Sequence, residues 1–130
     1  MKRSICLDTS VVVAAVYGEP SATTIRLRLR GAHGLVMGAP TLLEAHMVLA
    51  GSFKSEFDRF LAEMSTTILP FTDRHAQLAS EAFDRFGKGR HPAGLNFGDC
   101  MAYATAKMAG LPLLYVGGDF SKTDLDCVHA

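Results

Sequence analysis

The sequence has little cysteine, no excess of either charge and no long apolar run, and each shortage closes off a class of protein. Its three cysteines, Cys6, Cys100 and Cys127, are odd in number, far apart and without C-x-x-C spacing. That argues against both a disulfide framework and a structural zinc site and fits a reducing compartment, so a cytoplasmic location is expected. Thirteen Lys and Arg balance thirteen Asp and Glu, leaving no overall basic field that would mark a nucleic-acid binder; any such binding has to come from local patches or from a bound cation. The basic start Met1-Lys2-Arg3 leads into an apolar stretch that Asp8 breaks at once, unlike a signal-peptide core. No run approaches the roughly 18 apolar residues that a membrane span needs, so no membrane association is expected. A G-x-G-x-x-G or P-loop is also missing, which removes support for a nucleotide-cofactor enzyme.

What is present suits one globular domain over residues 1–130, with nearly half the residues apolar and a fifth charged. Ser4 to Leu7 predicts a short buried strand, and Val11 to Val16 an apolar helix punctuated by Gly18 and Pro20. Ser21 is the expected N-cap of a second helix ending near Gly31. Its stretch Ile25 to Arg30 alternates like a strand, but parallel neighbours need a crossover, which favours helix. Leu35 to Met37 predicts the next strand, and Pro40 opens a helix to about Ala50. An amphipathic helix carries Phe53, Phe57, Phe60, Leu61 and Met64 on one face; its stripe is core first, with a partner groove as the second reading. A strand over Thr66 to Phe71 and a helix capped by Thr72 or Asp73 and running to Phe86 follow. After the loop from Gly87 to Gly94 come a strongly periodic helix (Phe97, Met101, Ala104, Met108, Leu111) and a strand, Leu113 to Val116. Alternating strands and helices predict an α/β fold with a parallel sheet covered on both faces, whose chemistry gathers at the carboxyl ends of the strands.

Four acids fall at that edge. Asp8 lies between Ile5-Cys6-Leu7 and Val11-Val12-Val13, where an ionised carboxylate loses water and needs compensation; capping the following helix is the plainer explanation, although Thr9 or Ser10 could also cap. Glu44 sits in apolar surroundings near a helix start, where the dipole alone would favour an acid. Asp99 follows Asn96 by three residues, as in a capping box. Asp119 comes after Gly117-Gly118 at a strand end, where a simple turn would also account for it. Their coincidence of place is what counts. Two unit charges about 4 Å apart repel by on the order of 4 kcal/mol at an effective dielectric of about 20, so such a cluster takes up protons or binds a cation. Oxygen ligands favour Mg²⁺ or Mn²⁺ over zinc, and a hard cation held by carboxylates suits phosphodiester hydrolysis. Asp8, Asp99 and Asp119 are expected mainly as metal ligands, and Glu44 as a ligand or as the group that orients and deprotonates water. The five histidines show no ligand spacing.

The segments Leu7-Asp8-Thr9-Ser10, Pro40-Thr41-Leu42-Leu43-Glu44, Leu95-Asn96-Phe97-Gly98-Asp99-Cys100 and Gly118-Asp119-Phe120-Ser121-Lys122-Thr123-Asp124 together resemble the PIN-domain ribonucleases, specifically the VapC-type toxins of toxin–antitoxin pairs. The resemblance spans nearly the whole chain. It implies a five-stranded parallel sheet with helices on both faces, Mg²⁺- or Mn²⁺-dependent endoribonuclease activity, a homodimer, and inhibition by a small VapB-type antitoxin. It also implies site roles for Asp8, Glu44, Asp99 and Asp119, with Ser10, Asn96 and Asp124 as supporting polar neighbours. Gly117-Gly118 stand where relatives often carry Asn or Asp. For RNA contacts, Lys88, Arg90 and His91 in the glycine-rich loop are candidates, with Arg26, Arg28 and Arg30 as a second basic patch whose plainer reading is a solvated face.

Other phosphoryl-transfer scaffolds fit poorly. A receiver domain needs paired acids after its first strand and a Lys after its last, and a dehalogenase-type phosphatase needs D-x-D; here Asp8 is followed by Thr9-Ser10. The remaining alternative is a catalytically silent PIN-like binding module.

Overall fold

The computed structural model describes residues 3–129; the first two residues of the basic start, Met1 and Lys2, lie outside the described residues. Strands β1 (Ile5–Leu7), β2 (Leu35–Gly38), β3 (Thr67–Leu69), β4 (Leu113–Tyr115) and β5 (Cys127–His129) form one sheet in the order β3-β2-β1-β4-β5. Every pairing is parallel, with Cys6 opposite Val36 on one side and Leu113 on the other. Helices α1 (Thr9–Tyr17) and α2 (Ala22–Arg30) make the first crossover, and α3 (Ala39–Val48) and α4 (Lys54–Glu63) the second; α5 (Asp73–Phe86) and α6 (Phe97–Ala109) return the chain to β4.

The period-two alternation of side chains in a strand divides the apolar residues into two cores. Ile5 and Leu7 of β1, with Leu35, Met37 and Leu114, pack under Val11, Val12, Ile25, Phe57 and Phe60 of α1, α2 and α4. Cys6, Leu113 and Tyr115 point the other way, against Phe86 of α5 and Ala102, Tyr103 and Ala106 of α6. Helix α6 comes close to the sheet at Gly38, where a Cβ would lie 2.6 Å from the Thr105 hydroxyl. Glycine is the residue that permits this approach.

The expected elements are present, with instructive differences. The residues from Ala22 to Arg30 are helical, with Ile25 and Leu29 buried, because the crossover between parallel strands outweighs the local alternation. Ser21 has helical backbone angles and makes no side-chain cap, since an N-cap hydroxyl acts from extended backbone. Phe53 belongs to a 3₁₀ turn, Gly51–Phe53, that precedes α4. Strand β3 stops at Leu69, just before Pro70, which has no N–H to give to a ladder. Thr72 caps α5 in a reciprocal box with His75. Among the described residues no helix is long and apolar enough to cross a membrane.

Candidate active site

The chain builds β1, β2 and β3 outward in one direction and then returns to place β4 on the opposite side of β1. The strand order thus reverses between β1 and β4, and the crevice beyond their carboxyl ends is where an open α/β sheet can receive a ligand. Asp8 immediately follows β1. Its N–H donates to the Leu114 carbonyl at 3.1 Å, and its side chain caps α1 by accepting from the Ser10 N–H at 3.1 Å and the Ser10 hydroxyl at 2.6 Å. The same Ser10 oxygen accepts from the Val116 N–H at 3.0 Å, tying α1 and Asp8 to the end of β4. The cap of α1 is therefore Asp8 itself, while Thr9 and Ser10 lie inside the helix. Asp8 is only 7% exposed. Burial pushes its carboxyl above the usual carboxylate range, the Ser10 hydrogen bonds pull back, and the Glu44 charge pushes up again.

Glu44 occupies the second turn of α3, whose first turn holds no acid, so the dipole at the helix start does not account for it. The Thr9 hydroxyl donates to Glu44 Oε1 at 2.5 Å. The other carboxylate oxygen lies over Gly98 of α6, where a Cβ would come within 2.5 Å of Oε2. Asp99 is the third residue of α6 and completes the expected capping box: it accepts from the Asn96 N–H at 3.0 Å and donates its own N–H to Asn96 Oδ1 at 2.9 Å. Burial raises the Asp99 carboxyl to about 6, partly offset by the Asn96 N–H and reinforced by the charges of Asp8, Asp119 and Glu44. Asp119 is exposed, at the head of a 3₁₀ turn, Phe120–Lys122. It is preceded by Gly117, whose φ of 114° suits glycine alone.

The four acids thus share one electrostatic neighbourhood, made by the ends of β1 and β4 and by α3 and α6. Among the described residues, however, no three His, Cys, Asp or Glu side chains stand together as a ready metal cage. The charges of Asp8, Asp119 and Glu44 act on Asp99, but the four acids expected to converge do not form a closed ligand set among the described residues. Donor chemistry nonetheless fits a hard cation. All four groups are carboxylates, and Mg²⁺ keeps several waters and commonly takes only one or two carboxylates directly. Asp8 and Asp99 are under pressure to be neutralised, which a cation relieves as a proton does. The cysteines offer no competing soft site: burial pushes the Cys6 thiol to about 12 and those of Cys100 and Cys127 to about 11.

The other candidates are dispersed. Asp124 accepts from the Tyr103 hydroxyl at 2.5 Å and pairs with Lys107 and Arg85, each at 3.3 Å. Burial pushes its carboxyl up, but these hydrogen bonds and cations outweigh burial and hold it below the usual range. It fastens the segment after Phe120 to α5 and α6, one turn along α6 from Asp99. Arg90 pairs with Asp84 at 3.5 Å and lies over the Phe83 ring. His91 accepts from the Ala93 N–H at 3.0 Å and packs edge-on against Phe86. Lys88 is exposed, with its backbone N–H bound to Leu95. Arg26 stacks on Phe60. Sequence reasoning treated Thr9 only as a capping candidate and left Gly98 without a role; their contacts with Glu44 span 35 and 54 positions respectively, and no local pattern announces them.

A family model for the PIN domain matches residues 5–125. The chain is 49% identical over 125 residues to ribonuclease VapC36 of Mycobacterium tuberculosis, an alignment covering 92% of this chain and 90% of that protein. It is 37% identical over 127 residues to ribonuclease VapC of Mycolicibacterium smegmatis, covering 95% and 98% respectively. Among solved structures, VapBC2 from Rickettsia felis bound to a promoter DNA fragment superposes with a TM-score of 0.75 at 15% identity, covering 98% of each chain. VapC20 of Mycobacterium tuberculosis, a sarcin-ricin loop cleaving toxin, gives 0.74 at 20% identity, covering 93% of this chain and 95% of that one. With these matches laid over the sheet and its carboxyl edge, the chain belongs to the PIN-domain family, among its VapC-type ribonucleases.

Proposed function

We propose that this chain is a Mg²⁺- or Mn²⁺-dependent endoribonuclease, the toxin of a type II toxin–antitoxin pair, acting in the cytoplasm. The observation that carries the reading is the coupled carboxylate group at the strand-order reversal, where Asp8, Asp119 and Glu44 all act on Asp99. A cation bound there would neutralise the scissile phosphate and make water more acidic. Asp8, Asp99 and Asp119 would hold the ion, Ser10 would fix the Asp8 carboxylate, and Asn96 that of Asp99. Glu44 would orient the attacking water and accept its proton. Lys88 is the best placed of the loop cations to meet RNA backbone, since Arg90 and His91 already have protein partners.

The VapB-type antitoxin is proposed because the named relatives are VapC ribonucleases and several structures of the same fold were solved as VapBC complexes. A homodimer is proposed on the apolar surface of α3 and α6, where Phe97 is 80% exposed beside Leu43 and Met47. That is an unusual display for a monomer. The binding-module alternative draws on the lack of a ready three-ligand cage among the described residues. Calorimetric Mn²⁺ titration alongside RNA cleavage separates the two. The nuclease reading predicts that Asp8→Asn and Asp99→Asn lose metal affinity and cleavage together; wild-type protein that binds the ion yet leaves RNA intact in Mn²⁺ and in Mg²⁺ would favour the module.

A further inference from the structure

We infer that Thr9 and Gly98 are positioning residues for Glu44, an assignment that rests on the nuclease reading above. A glutamate side chain has several rotatable bonds, and near Asp8 and Asp99 like-charge repulsion urges it away from the site. Two contacts from other elements oppose that escape. Thr9, next to Asp8 and 8% exposed, donates its hydroxyl to Oε1 at 2.5 Å. From α6 the carboxylate meets the bare backbone of Gly98, immediately before Asp99; a Cβ there would lie 2.5 Å from Oε2, 3.0 Å from Oε1 and 3.1 Å from Cδ.

Gly98 has no backbone reason to be glycine. It lies within α6 and is not among the residues of positive φ, and glycine weakens a helix relative to alanine. What it supplies is room, and the whole Glu44 carboxyl group occupies that room. Thr9 directs one oxygen and Gly98 admits the other, so Glu44 is held between α1 and α6 on the side of α6 that carries Asp99.

The test uses the full chain with Gly98→Ala, Thr9→Val, Thr9→Ser and Glu44→Gln. Gly98→Ala is expected to melt at or above the wild-type temperature, because the helix gains a better former. It should nonetheless lose about tenfold or more in kcat on RNA at saturating Mn²⁺, with KM nearly unchanged, because the proton acceptor is displaced. Thr9→Val should lose kcat similarly, and Thr9→Ser should recover most of it. Adding Gly98→Ala to Glu44→Gln should cost nothing further, since both act through one carboxylate. A Gly98→Ala enzyme with the wild-type rate, or losses that multiply in the double variant, would overturn the assignment. The ¹³C carboxyl resonance of Glu44 in metal-free protein provides a readout without catalysis: it should move in Gly98→Ala and in Thr9→Val, and an unmoved resonance in both would also overturn the assignment. Should Thr9→Val fail to fold, Thr9→Ser and Gly98→Ala still decide. Wild-type protein without metal-dependent cleavage would sink the nuclease reading while leaving the resonance test of Glu44 intact.

Discussion

At the scale of single residues, Asp8 performs two tasks with one carboxylate. It caps α1 through Ser10 and stands at the mouth of the crevice with its charge raised in cost by burial. Asp99 repeats the arrangement on α6 through Asn96. The capping of both helices was legible in the sequence, and the proposed metal site would use the same two carboxylates. The raised carboxyls have a stability consequence. The folded-state value of Asp99, about 6, lies above its unfolded value of about 3.9, so the folded protein binds the proton more tightly. That contribution is complete below about pH 4 and is lost as pH rises through about 6; Asp8 acts in the same direction. The melting temperature of metal-free protein should therefore fall across this window, less so in Asp99→Asn. Excess Mn²⁺ should reverse the fall above about pH 6, because the ion takes the place of the proton. A metal-free melting temperature that climbs across the same window would contradict the coupling.

At the scale of elements, helix ends and close approaches set the geometry. Asn96→Ala removes the side-chain half of the α6 capping box, the bond from the Asp99 N–H to Asn96 Oδ1, and should cost about 1 kcal/mol in urea unfolding; the backbone N–H of residue 96 still donates to the Asp99 carboxylate, so Mn²⁺ affinity should change little. Gly38→Ala tests the seat of α6 on β2: the added methyl meets the Thr105 hydroxyl, and overpacking of this kind costs about 1–3 kcal/mol. A neutral result there would mean that α6 can lift from the sheet. Strong periodicity made α6 readable, and buried apolar runs made β1, β2 and β4 readable. Strand β5 is three residues long, too short for periodicity to register; only the family resemblance implied a fifth strand. Gly98 was illegible for a different reason, because its purpose is a contact with Glu44 on another helix. Asp124 was placed near the metal by its motif position, yet its partners are Tyr103, Lys107 and Arg85, which a linear motif does not reveal.

At the scale of the whole molecule, the neutral charge balance and the acidic crevice offer no overall basic field, so under the proposed nuclease reading RNA would be recruited through the bound cation. The apolar display of Leu43, Met47 and Phe97 sits beside Glu44, on the same two helices that frame the site. Association through this face would place the two crevices near one another. Phe97→Asp should then shift the sedimentation coefficient from dimer to monomer at micromolar concentration, while a wild type already monomeric at high concentration would remove the dimer from the account. The most direct measurement of the central claim is cleavage of end-labelled total cellular RNA by purified, antitoxin-free protein in Mg²⁺ or Mn²⁺, in EDTA, and with Asp8→Asn and Asp99→Asn in parallel. A metal-dependent nuclease with Asp8 and Asp99 in its site yields discrete fragments that require the metal and vanish in both variants; intact RNA with metal-loaded wild type, or fragments that persist in the variants, would rule it out.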